Sequence, residues 1–188
     1  MSIVETVPDS EATGLVAELY ENDVRSVGHV TTYTRVMALN PEAEMAWEEL
    51  ARAIARPLGM RRYELVTLAA ALAIGSKACL AAHARKSLGY LDEAEVVRVL
   101  RDFRSAGLAE AEVAMMEYAT KLSQDSASMT DADSLALRQH GFSDHEIVDI
   151  TLAAAARNYY SRAIHALDVE LEPVDDLSTE LRDALGAI

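Results

Sequence analysis

The chain has 188 residues, a formal net charge of −14 and a single cysteine. That acidity argues against nucleic acid and anionic membrane surfaces as partners, because both would repel it. One thiol cannot form an internal disulfide, and a hydrophobic content of 51% suffices for one buried core, so the chain is read as a single domain over 1–188.

The opening MSIVETVPDSEATG has neither a basic nor an apolar region, which is unlike a signal peptide. The most apolar run, 65–74, is too short to span a bilayer, and a cytoplasmic location is expected. Asn40, Pro41, Glu42 and Glu44 supply a cap, a first-turn proline and early acids. They predict a helix that runs through Trp47 and Leu50 and stops at Pro57 and Gly59. Asp92 with Glu95, Thr130 with Asp133, and Ser143 with Glu146 each read as a cap followed by an acid three residues on. Gly89, Gly107 and Gly141 mark helix ends. No segment alternates as a half-buried strand does, so the fold class is all-α. The stretches before Asp9 and after Pro173 read as partly loose termini, with Leu181, Leu185 and Ile188 able to form a docking helix.

Two segments, about 61–90 and 143–172, match under a shift of 82 residues. Glu64 falls on Glu146, Ser76 on Asn158, Cys79 on Ser161 and His83 on His165. Each copy thus holds a Glu and a His nineteen residues apart, which is read as an internal duplication of a two-helix unit. Only the first copy has a thiol.

That thiol lies in GSKACLAAH, residues 75–83. Gly75 breaks the helix, Ser76 is a natural cap for the next one, and Cys79 then sits in its first turn. The helix dipole and the Lys77 cation favour a thiolate there. His83, one turn later on the same face, is placed to accept the thiol proton, and Glu64 on the preceding helix to orient it or relay the proton. Plainer readings apply beside these. A lone cysteine among alanines is commonly a small core residue, Ser143 and Glu146 form a capping box, His165 lacks a thiol partner, and Met115 and Met116 fill the core. Cys79 and His83 supply only two ligands, so no metal is expected, and no cofactor either.

The pattern Glu64, eleven residues, Ser76-Lys77-Ala78-Cys79, three residues, His83 resembles the signature of the alkylhydroperoxidase D-like proteins, in the carboxymuconolactone decarboxylase superfamily. In that signature Cys-x-x-Cys stands where this chain has Ser-x-x-Cys. The flanks Arg61 to Leu65, and Ala81 to Ala84 followed by Leu88-Gly89, resemble it too, as do Tyr118 to Leu122, Gly141 to Arg162 and Ala12 to Tyr20. The resemblance implies an all-α helical bundle with Glu64, Cys79 and His83 as proton relay and reactive thiol. It implies reduction of a small hydroperoxide, an external thiol or a lipoyl- or thioredoxin-like reductant, and a homo-oligomer, most simply a trimer or hexamer. With Ser76 in place of the first cysteine, the dithiol cycle is closed to an isolated chain. Ser76 is expected instead to hydrogen-bond the Cys79 sulfur. Two alternatives stay open: a cofactor-free acid–base enzyme of the decarboxylase kind using Glu64 and His83, and a helical oligomer with reduced catalysis. The site is expected to be a small, mostly apolar pocket.

Overall fold

A computed structural model describes residues 2–186, and every regular element among them is helical. In chain order these are α1 (Gly14–Val27), α2 (Thr32–Met37), α3 (Pro41–Leu58), α4 (Met60–Ala73), α5 (Lys77–Ser87), α6 (Glu93–Asp102), α7 (Glu110–Asp125), α8 (Asp131–Gln139), α9 (Asp144–Ala166) and α10 (Thr179–Gly186).

The caps act largely where the sequence puts them. Asn40 accepts from the Ala43 amide at 3.2 Å, Asp92 from Glu95 at 2.7 Å, and Ser143 and Glu146 close a reciprocal capping box. At Thr130 the bond runs the other way, with the Asp133 carboxylate accepting the Thr130 amide at 2.7 Å. Pro57 does not end α3. It sits in the last turn, and the helix closes one residue later, where the Gly59 amide bonds Ala55 across a positive φ of 80°. A proline there forfeits one hydrogen bond to the preceding turn, and the helix ends at the next residue.

Residues 63–71 of α4 are all buried. A helix apolar on every side belongs in a core, and α4 packs against α3, α5, α7 and α9. Each fully buried Leu or Val there, such as Leu65, Val66 and Leu68, contributes about 1.5–3 kcal/mol. The two ends are anchored. The Tyr20 hydroxyl donates to the Val7 carbonyl at 2.8 Å, and α10 docks on α5 and α6 through buried Leu181 and Ala184. Of the expected docking trio, Leu185 packs against the core and Ile188 lies outside the described residues.

The two segments related by the 82-residue shift fold differently. The first is two helices, α4 and α5, and the second is one unbroken helix of 23 residues, α9. The cause is local. Gly75 adopts φ +68°, its amide bonds Leu72 at 3.2 Å and the Ser76 amide bonds Ala71 at 2.9 Å, which is a Schellman stop. The residue 82 positions later is Arg157, which sits comfortably inside a helix where an αL glycine does not.

Candidate active site

The Gly75 turn folds α5 back along α4, and this brings Glu64 and His83 together. His83 Nδ1 lies 2.7 Å from Glu64 Oε2, and both side chains are buried. Thr67 donates to the Glu64 carbonyl at 2.9 Å and its oxygen is 3.3 Å from the same Nδ1. A carboxylate only accepts, so Nδ1 carries the proton and Nε2, which has no hydrogen bond among the described residues, keeps a lone pair. Burial and the Arg157 charge push the imidazole down to about 4, against the pull of Glu64. Burial pushes the Glu64 carboxyl up, but the interactions with His83, Lys86 and Arg157 outweigh it and hold it below the usual range. At neutral pH the pair is a neutral imidazole on a carboxylate.

The sulfur has partners of its own. Ser161 Oγ donates to Cys79 Sγ at 3.0 Å, and Arg157 Nη1 stands 3.5 Å from it. Both come from α9. Arg157 is buried under the rings of Trp47 and Tyr160, at 5.5 and 5.8 Å. Burial works against its charge, but Cys79 and Tyr63 together outweigh that and keep the guanidinium above its ordinary value. It therefore stays cationic beside the sulfur.

Three expectations need correction. Ser76 occupies the cap position, yet its hydroxyl makes no capping bond, is fully buried and has no partner among the described residues. The serine on the sulfur is Ser161, the residue that the 82-residue shift pairs with Cys79. Lys77 points to solvent, and the cation at the thiol is Arg157. No hydrogen bond joins Cys79 to His83 among the described residues, although both line one cavity.

That cavity is also not small. It measures about 1000 Å³ and carries Glu44, Lys86 and Arg157 among aromatic walls. Lys86 is open to it, and its ammonium is held below the usual lysine range by the enclosing walls and then by the Arg157 charge. Glu146 and His165 take no part. Glu146 caps α9 and pairs with Arg62 at 2.7 Å, and His165 is exposed. The sequence reading missed Arg157, Ser161 and Glu44. Arg157 was visible as the one basic residue inside the run 147–160. Glu44 shares a helical face with Trp47, Ala51 and Ala55, a register that faces inward. No group of three His, Cys, Asp or Glu side chains among the described residues is placed to hold a metal ion.

No family model and no curated protein sequence matches the chain. Solved structures do. The chain is similar to an uncharacterized peroxidase-related protein from Ralstonia eutropha JMP134, described as an alkylhydroperoxidase AhpD core, with TM-score 0.83 and 20% identity over 93% of each chain. A putative antioxidant defence protein AhpD from Agrobacterium tumefaciens has TM-score 0.64 and 27% identity, over 73% of this chain and 96% of that one. A cysteine-to-alanine variant of the debrominase Bmp8, in complex with 2,3,4-tribromopyrrole, has TM-score 0.76 and 16% identity over 98% and 96%. The chain has the alkylhydroperoxidase D-like fold, the one that its signature resembles. No helix among the described residues is long and apolar enough to cross a membrane.

Proposed function

We propose that the protein is a single-cysteine, thiol-dependent hydroperoxide reductase of the cytoplasm. The observation that carries this is the sulfur of Cys79, held between a buried guanidinium and a serine hydroxyl, in one cavity with a neutral imidazole backed by a carboxylate. The peroxidase-related structural neighbours support the same reading.

Cys79 Sγ attacks the terminal oxygen of the hydroperoxide. The S–O bond forms, the O–O bond breaks, and its electron pair leaves with the alkoxide. The thiol proton passes through His83 Nε2 to that alkoxide, giving the alcohol. Resting His83 is neutral, and Glu64 stabilises the imidazolium while the proton is in transit. Arg157 balances the negative charge that develops on sulfur. Cys79 is left as a sulfenic acid. An external thiol displaces water from it to form a mixed disulfide, and a second thiol releases that as the external disulfide. The balance is ROOH + 2 R′SH → ROH + R′SSR′ + H₂O. With Ser76 in place of a partner thiol, both reducing equivalents come from outside the chain.

A second reading draws on the breadth of the cavity and its aromatic walls, more than a small peroxide fills. There the same sulfur takes bromine from an aromatic carbon, the carbon gains the proton, and two external thiols restore the cysteine with loss of bromide, as the debrominase neighbour suggests. The chain is also proposed to form a homo-oligomer, because Val148, Leu152 and Tyr159 leave an apolar stripe exposed along α9.

The test is consumption of cumene hydroperoxide and of a bromopyrrole with dithiothreitol as reductant, in wild type and Cys79→Ala. The expected result is peroxide turnover that falls to background in Cys79→Ala, with a sulfenate trapped on Cys79 in the wild type. Bromide release without peroxide turnover selects the second reading. Either activity surviving in Cys79→Ala removes the thiol from the mechanism and overturns both readings.

A further inference from the structure

Glu44 is a buried ionisable group that the mechanism above leaves unused. It projects from the first turn of α3 into the substrate cavity and is only 3% exposed. Its Oε1 accepts the Tyr160 hydroxyl at 2.9 Å, and its Oε2, fully enclosed, has no partner among the described residues. A buried acceptor left unmatched costs about 1–3 kcal/mol, more when charged. The fold does not require that cost. A glutamine at this position would accept from Tyr160 equally well and bury no ionisable group. The neighbouring charges that act on Glu44 do not relieve it either, since Asp23 on α1 and Glu48 on α3 are both acids, and Arg157 on α9 is committed to the sulfur.

We propose that Glu44 is a substrate-recognition residue whose free carboxyl oxygen accepts a hydrogen bond from an N–H or O–H group on the substrate. This rests on the reading of the cavity as the substrate cavity. The ligand it describes has an apolar or aromatic body, packed on Ala55, Met60, Tyr63 and Ile164, with a donor group at Glu44 and its reactive end at Cys79. Plain alkyl hydroperoxides satisfy the thiol and leave Glu44 unmatched. Burial holds Glu44 up at about 7, against the Tyr160 hydrogen bond. In its ionised state the free oxygen accepts from a neutral O–H or N–H donor or from an ammonium, whereas a protonated carboxyl holds its proton there and donates.

Binding tests this without any chemistry at sulfur. Isopropylbenzene, 4-isopropylbenzyl alcohol and 4-isopropylbenzylamine share one apolar body and differ in the donor. Titration calorimetry on the full chain at pH 7 is expected to show the alcohol, the amine or both binding at least about tenfold tighter than the hydrocarbon, as a buried hydrogen bond to a carboxyl implies. A preference for both assigns a neutral-donor site, and a preference for the amine alone assigns an ammonium site. Glu44→Gln is expected to reduce the amine's advantage by about tenfold. Tyr160→Phe keeps the carboxyl and is expected to keep the preference, which guards against misfolding of the glutamine variant. Equal binding of the three compounds, or a preference that survives in folded Glu44→Gln, overturns the proposal. Loss of peroxide turnover alone does not, because these ligands carry no peroxide.

Discussion

The α4–α5 pair and α9 share an 82-residue register, yet they have divided one site between them. The first carries the groups that move protons and electrons: Glu64 and His83, 2.7 Å apart, and Cys79. The second carries groups that only hold. Ser161 and Arg157 bind the sulfur, and Tyr160 binds Glu44. The difference follows from one backbone position. Where Gly75 stops α4, the chain reverses and two helical faces meet. Where α9 has Arg157, the helix runs on, its Glu146 and His165 remain far apart along one rod, and the arginine is carried into the cavity. At a rise of 1.5 Å per residue, nineteen residues of straight helix separate two side chains by about 28 Å. A bend in the first copy thus builds the relay, and the lack of one in the second leaves a scaffold.

The largest expected effect tests that division. Glu64→Gln keeps the size and the hydrogen bond but removes the charge that stabilises a transient imidazolium. Turnover is expected to fall about 10²–10⁴-fold, with Cys79 still modified by an uncharged alkylating reagent. The second-copy equivalent, Glu146→Gln, is expected to cost only the stability of a cap, measured as a small drop in midpoint temperature. Equal losses of activity in the two variants would break the comparison.

A second experiment compares the buried titratable group of each region. His83 is held down at about 4 against an ordinary 6.5. Below 6.5 its unfolded form binds more protons than its folded form, so its contribution to stability is full above that pH and is lost as pH falls towards 4. Glu44, held by Tyr160 of α9, is pushed the other way, up to about 7 from 4.5. Its folded form binds the extra proton, so its contribution is full below 4.5 and is lost as pH rises through 7. The two slopes oppose each other in the wild type. In Glu44→Gln the His83 slope should stand alone, and stability relative to wild type should rise by up to about 3 kcal/mol between pH 4.5 and 7. Urea unfolding across that range measures it, and a parallel pair of curves would show that Glu44 is not the opposing group.

The smallest expected effect concerns the holding side. Arg157→Met keeps packing under Trp47 but removes the charge beside Sγ. The rate of sulfenate formation is expected to drop about tenfold, with the chain still folded and Glu64–His83 intact, since one cation–anion contact in a half-open cavity is worth only about 1–3 kcal/mol. Stopped-flow measurement of thiol loss at a fixed peroxide concentration gives that rate. No change would mean that Ser161 alone holds the sulfur.

The all-α fold, most of the helix caps and the stop at Gly75 were determined by the sequence alone. They depend on residues within a turn of each other, where backbone sterics and capping chemistry decide the outcome. The Glu64–His83 contact was legible for the same reason, because one short turn fixes where two adjoining helices meet. What tertiary structure decided is everything that crosses between distant elements. Ser76 looked like the partner of Cys79 because both open the same helix, but its amide closes α4 and its hydroxyl is turned into the core. The partners of the sulfur came instead from α9, 78 and 82 residues away. Glu44 read as an ordinary first-turn acid until the packing of α3 on α9 enclosed it beside Tyr160. Local rules place a side chain on a helix face, and only the packing of one helix on another determines which partners that face meets.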